Sequence, residues 1–155
     1  MNYSKAQISW LVILRVAIGW HFLYEGLVKL MNPNWTSVGY LLDSEGFLQG
    51  AFHKMASSPS ILNIIDLMNI WGLIIIGLAL ILGLLERPAC ILGIAMLALY
   101  YLSHPPFVGL RYSVPGEGSY LIVNKNLIEL IALAVLFVFP SGRYLGIDRI
   151  IFREK

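Results

Sequence analysis

Arg15, His21, Glu25 and Lys29 all lie within one apolar run, residues 8–30. An imidazole and a carboxylate in hydrogen-bond reach can pass a proton, and a lysine beside them can hold an anionic or carbonyl oxygen. On a helix turning about 100° per residue, Arg15, Phe22, Lys29, Glu25 and His21 fall within an arc of about 120°. Leu11, Leu14, Ala17 and Val28 occupy the opposite face. The run is long enough to span a bilayer, where ionisable groups are costly unless paired or wetted and so mark a site by default. A local reading stands beside this one. Glu25 and Lys29 form an i,i+4 pair in the favourable order, and Lys29 can snorkel to the headgroups. Arg15 and His21 lie deeper, though either can serve only to tie helices together.

Further polar residues interrupt other apolar stretches. Asp66 and Asn69 sit i,i+3 near the start of the second run, and Tyr100, Tyr101 and His104 end the third. Asn126 and Glu129 lie early in the fourth, where Lys125 and Glu129 make an i,i+4 pair in the less favourable order. No metal site is expected. A b-type haem held by His21 and His104 is one option, but single histidines near helix ends are usually hydrogen-bonded structural groups. The single cysteine, Cys90, excludes an intrachain disulfide and CxxC chemistry. It reads as a small packing residue at a helix start.

The elements that must position these residues follow from composition. Of 155 residues, 58% are hydrophobic and 13% charged, and the mean hydropathy is +0.75. A soluble domain carries about 25% charged residues, so the expectation is one all-α integral membrane domain. Four spans are predicted, at about 8–31, 61–85, 88–104 and 120–140. Arg15 interrupts the first run and no A-x-A site follows, so that run is expected to be retained rather than cleaved. Asn32-Pro33-Asn34-Trp35 ends it. The long, apolar connection that follows predicts one or two short amphipathic helices at the membrane interface. Small residues at Ala79/Gly83 and Ala89/Gly93 predict close helix contacts. Glu86-Arg87-Pro88 reads as a tight turn. The loop after Pro105-Pro106 carries Arg111, Tyr112, Glu117 and Tyr120. The tail, with Arg143, Arg149, Arg153 and Lys155, reads as a basic segment on an anionic membrane surface.

Four spans put both ends on one side, and counting positive charges favours the cytoplasm. The net charge of +2 forms no stripe for nucleic acid, and no nucleic-acid partner is expected. This topology places His21, Glu25, Lys29, Asp66, Asn69, Tyr100, Tyr101, His104, Asn126 and Glu129 in the outer half of the bilayer. They are expected to converge beneath the two outer loops as a ligand site. Arg15 stays apart, about 15 Å deeper than Glu25.

The chain resembles the DoxX-like membrane proteins. The resemblance is carried by residues 14–30, by Gly77-Leu78-Ala79-Leu80-Ile81-Leu82-Gly83-Leu84-Leu85-Glu86-Arg87, by Val123-Asn124-Lys125-Asn126-Leu127-Ile128-Glu129 and by Leu145-Gly146-Ile147-Asp148. Asn34-Trp35-Thr36-Ser37-Val38-Gly39-Tyr40-Leu41 with Gly46-Phe47-Leu48 is similar to the DoxD branch, named for a membrane subunit of a thiosulfate:quinone oxidoreductase. It implies a four-helix membrane bundle, in a bacterial inner membrane, passing electrons from a reduced sulfur compound to quinone.

Two functions of different kinds follow. The first is a redox membrane subunit with a quinone site and a redox partner subunit. In it His21, Glu25, Tyr101, His104 and Glu129 supply donors and a proton route, with Glu25, Glu129 and His21 as the catalytic candidates. Lys29, Arg111 and Lys125 would attract an anionic sulfur substrate. The second is a non-catalytic binding or accessory protein, holding a lipid or small molecule or anchoring a partner. A small carrier is a third reading, which four spans without an inverted repeat support only in a homo-oligomer. The chain carries no dinucleotide fingerprint or haem-attachment motif.

Overall fold

A computed structural model describes residues 3–113 and 121–151. Its seven helices are α1 (Lys5–Met31), α2 (Val38–Leu42), α3 (Gln49–Ala56), α4 (Pro59–Leu82), α5 (Glu86–Ser103), α6 (Lys125–Val138) and α7 (Asp148–Ile151). No strand occurs among the described residues. Of the sequence features singled out, Glu117, Tyr120, Arg153 and Lys155 lie outside the described residues.

Local chemistry sets the helix ends. Ser4 and Gln7 cap α1 reciprocally: Ser4 Oγ accepts from the Gln7 amide and Gln7 Oε1 from the Ser4 amide. This starts the helix at residue 5 rather than at 8. Pro59 occupies the first turn of α4, where its missing N–H has no cost. Gly83, at φ 62°, ends that helix in the left-handed conformation a Cβ disfavours. α4 therefore stops at Leu82, short of the predicted 85, and α5 begins two residues before the predicted 88.

The fourth span differs most from expectation. Asn124 does not lie inside the helix but caps it, its Oδ1 accepting from the Leu127 amide at 3.0 Å. That leaves 14 residues in α6, about 21 Å at 1.5 Å per residue. α1 and α4 are long and apolar enough to cross a membrane, with mean hydropathies of 1.5 and 2.3 over their most apolar stretches.

α1 packs chiefly against α4 and α5 against α6, while α4–α5 and α1–α6 contacts close the ring. Backbones of α1 and α4 approach closely at Gly19, Gly26 and Gly77; a Cβ on Gly77 would sit 2.5 Å from the Leu23 nitrogen and 2.7 Å from the Gly19 carbonyl oxygen. The Ala79/Gly83 pair does not make this contact, because Gly83 is spent on the helix end. Gly93 does face a neighbouring helix, with Leu133 and Phe22 against it. Ile18, Phe22, Leu73, Ile76, Leu80, Leu97, Leu133 and Leu136 form the core together with Ala89 and Cys90. The outside is apolar too: Trp10, Trp20, Met68, Ile75, Ile91, Leu99 and Ile131 are exposed. So much exposed apolar surface suits lipid contact.

The long connection folds into α2 and α3, whose Leu41, Phe52 and Ala56 form a small core of their own beside Leu62 and Ile65 of α4. Beyond α6 the chain turns back beneath the α4–α5 junction. The amides of Ile147 and Asp148 donate to the carbonyls of Leu82 and Gly83 at 3.0 and 2.9 Å. The described part of the tail is thus docked on the bundle, with Arg143 and Arg149 exposed.

Candidate functional site

The polar stripe of α1 meets the start of α6, the middle of α4 and the latter part of α5 around a half-open cavity of about 300 Å³. Phe22, Leu73 and Leu97, all buried, supply an apolar wall. His21, Glu25 and Lys29 supply the polar wall from α1, and Lys125, Asn126 and Glu129 from α6. Asn69 and Tyr100 enter from α4 and α5, and Trp35, Thr36, Ser37 and Tyr40 from the following connection.

Two pairs organise the charge. His21 Nδ1 lies 2.8 Å from Glu129 Oε1, joining α1 to α6. The Glu129 side chain is 12% exposed and that of His21 44%, so the imidazole forms the open edge of the pair. Lys29 Nζ donates to Glu25 Oε2 at 2.7 Å and lies 5.6 Å from the centre of the Trp35 ring. The lysine is thus held between a carboxylate and an aromatic face. The Tyr100 hydroxyl donates to Asn69 Oδ1 at 2.9 Å, and the Tyr40 hydroxyl to the Tyr100 carbonyl at 3.3 Å.

Of the residues expected to converge, His21, Glu25, Lys29, Asn69, Tyr100, Asn126 and Glu129 line this cavity. Asp66, Tyr101 and His104 do not. Asp66 Oδ1 accepts from the Ser37 amide and hydroxyl, at 2.8 and 2.5 Å, and so anchors the chain entering α2. The Tyr101 hydroxyl donates to the Ile122 carbonyl at 2.7 Å. His104 is stacked between Tyr40 and Tyr112, with ring centres 4.0 and 4.6 Å away. Of the two histidines, only His21 lines the cavity. Among the described residues no group of three or more His, Cys, Asp or Glu side chains could hold a metal ion.

The connection after α1 and the loop after α5 are joined around His104. Its Nε2 stands 3.5 Å from Asp43 Oδ2, close enough for attraction but without hydrogen-bond geometry. Asp43 also accepts from the Ser113 amide, and Glu45 from that of Arg111. Burial holds the His104 pKa below its ordinary value, against the opposing pull of Asp43 and Glu45. Burial likewise pushes the Tyr40 phenol up, and that of Tyr112 up to about 12.

Trp35, Thr36, Ser37 and Tyr40 were not foreseen as cavity residues. In the sequence they stand out as the break after the first span and as part of the stretch that is similar to the DoxD branch, neither of which marks a cavity wall. Glu86, expected in a tight turn with Arg87 and Pro88, is instead the fully buried first residue of α5. Its carboxylate accepts from the Ser141 amide at 3.2 Å, the Gly142 amide and the Ser141 hydroxyl. Arg15, also buried, donates to Ser141 Oγ at 3.1 Å and to the Leu145 carbonyl at 2.7 Å, with Glu86 Oε2 at 3.5 Å. Asp148 accepts from the amides of Leu85 and Glu86 at 2.7 and 3.1 Å. This second polar cluster closes the other end of the bundle, away from the cavity.

Residues 10–105 match the family model described as DoxX. No curated protein and no solved structure matches the chain significantly.

Proposed function

The chain belongs to the DoxX family, and from that premise we propose that it is a four-helix membrane bundle that binds the polar head of a small amphipathic molecule in the cavity between α1 and α6. Both termini face the cytoplasm, and the membrane is a bacterial inner membrane. One observation carries this reading. The His21–Glu129 and Glu25–Lys29 pairs line the same half-open cavity as the buried side chains of Phe22, Leu73 and Leu97. Ligand sites of this kind combine an apolar wall with a few convergent polar groups. A quinone head matches that chemistry, since its ring packs on the apolar wall and its carbonyl oxygens accept from Lys29 or protonated His21.

The resemblance to the DoxD branch favours a more specific version. The bundle is then the membrane subunit of a redox complex, in which a partner subunit oxidises a reduced sulfur compound and the electrons reduce quinone. Reduction to quinol takes two electrons and two protons, and the His21–Glu129 pair supports the proton delivery. The accessory reading needs the same cavity without the electron transfer.

Trp35 lines the cavity, and quinones quench indole fluorescence. A short-chain quinone titrated into purified protein is expected to quench saturably, with Trp35→Phe removing most of the signal. Quenching that never saturates, or that is the same in Trp35→Phe, would count against the cavity as the binding site. Native mass spectrometry of gently extracted protein then reports a bound quinone, lipid or partner subunit, and distinguishes the redox from the accessory version.

A further inference from the structure

At the opposite end of the bundle a second groove, of about 490 Å³, lies between the start of α1 and the turn that follows α6. Lys5, Ile8 and Ser9 line it from α1, and Arg143, Leu145 and Arg149 from the turn and α7. Three cations from the two ends of the described chain thus meet at one groove. Among the described residues no carboxylate lines it. The acids of this end, Glu86 and Asp148, are buried and turned inward onto backbone amides. The groove's positive charge therefore meets no carboxylate in its own lining.

Hydrogen bonds tie the turn that walls the groove to the bundle. Arg15 grips the Leu145 carbonyl from within, and the amides of Tyr144 and Leu145 donate to the Ser141 carbonyl at 2.9 and 3.0 Å. Ser141 is itself fixed on Glu86. Lys5 stands beside the capped start of α1, and Arg149 reaches back to the Tyr144 carbonyl at 3.4 Å. The floor mixes apolar Ile8 and Leu145 with the Ser9 hydroxyl. Above Lys5 and Ser9 the same helical stripe continues as Val12 and Val16, with no polar group for two turns. Trp10, 70% exposed on another face of α1, lies at the same height along the helix and suits a membrane interface. A phosphate bound by the cations would have its attached chains directed along an apolar track.

We propose that this groove is a binding site for the headgroup of an anionic phospholipid, its phosphate held by Lys5, Arg143 and Arg149 and its acyl chains laid along α1. The inference rests on the membrane reading above but not on the cavity ligand, which lies at the other end of the bundle. It also gives Arg143 and Arg149 of the basic tail a defined role rather than a diffuse attraction to charge.

Native mass spectrometry in neutral detergent with equal amounts of phosphatidylglycerol and phosphatidylcholine tests it. The parent is expected to retain phosphatidylglycerol preferentially, with binding about fivefold weaker for each cation removed, as for a basic side chain near an anionic surface. Lys5→Gln/Arg143→Gln/Arg149→Gln should abolish the preference. Arg87→Gln, a cation outside the groove over Phe137, should keep it. If the triple variant does not fold, Arg143→Gln alone, at an exposed position, decides by the fivefold loss. Three results would overturn the proposal: no preference in the parent, an equal loss in Arg87→Gln, or full displacement of lipid by millimolar inorganic phosphate, which would make the groove a site for the free ion. Quinone quenching should be unchanged in the triple variant, so a failure here is separable from a failure of the cavity reading.

Discussion

His21 Nδ1 and Glu129 Oε1 meet at 2.8 Å across 108 residues of sequence, and theirs is the ion-pairing contact between α1 and α6 at the cavity. Two roles are open to such a pair, one binding ligand and one holding helices. A double-mutant cycle separates them. Glu129→Gln and His21→Asn should each weaken short-chain quinone binding about tenfold, as expected for loss of a charge-assisted bond. The double variant should be little worse than either single one, because the residues act as a unit. Additive losses would mean that the two residues bind independently rather than as a pair, and parental affinity in both singles would assign the pair to helix packing.

Arg15 is expected to matter for folding and not for the cavity. It is buried with Glu86, and its Nε has no hydrogen-bond partner. Removing one member of a buried pair costs about 3–5 kcal/mol, because the other charge stays buried without its partner. Arg15→Leu should lower the unfolding midpoint strongly, while Arg15→Leu/Glu86→Gln should recover part of the loss. Surviving Arg15→Leu protein should bind quinone as the parent does. Normal stability with lost binding would reverse the assignment.

Close approach of α1 and α4 depends on Gly77. A Cβ there would collide with the Leu23 and Gly19 backbones, neither of which can turn aside as a side chain can. Gly77→Ala should therefore cost about 1–3 kcal/mol by overpacking. Gly39→Ala, where a Cβ would meet nothing within 4 Å, is the matched control. Equal midpoints for the two variants would show that the helices can separate at little cost.

The sequence revealed the cavity's α1, α4 and α6 residues because periodicity on a long apolar helix places side chains on a face. His21, Glu25, Lys29, Asn69, Asn126 and Glu129 were legible for that reason. It could not reveal that Asp66 would turn to Ser37, or that His104 would sit between two tyrosines. Those choices depend on where irregular backbone goes, and nothing periodic records it. Glu86 shows the same limit from the other side. Next to Arg87 and Pro88 it reads as part of a tight turn, and only the return of residues 141–148 beneath it makes it a buried acceptor. Helix ends were legible to within a few residues, except where Asn124 acted as a cap rather than as part of a span.

His104 should couple pH to the packing of the connection after α1 against the loop after α5. It lies between the Tyr40 and Tyr112 rings, and the charged groups that face it are Asp43 and Glu45. Burial dominates and lowers its pKa from 6.5. The tyrosines stay neutral, since burial raises both phenols. A histidine with a depressed pKa binds fewer protons folded than unfolded. Its contribution is therefore complete above about pH 6.5 and is lost as pH falls from there through the folded value. Tyr40 belongs both to this stack and to the cavity wall, so loosening the stack at low pH also disturbs the cavity. Amide hydrogen exchange across residues 105–113 should rise between pH 7 and pH 5 after correction for intrinsic rates. His104→Phe keeps an aromatic ring in the stack and removes the titration, so its corrected exchange should be flat over the same range. A direct measurement of the imidazole titration by NMR should give a midpoint below 6.5. A midpoint above that value would mean that Asp43 outweighs burial, and the stack would then tighten on acidification rather than loosen.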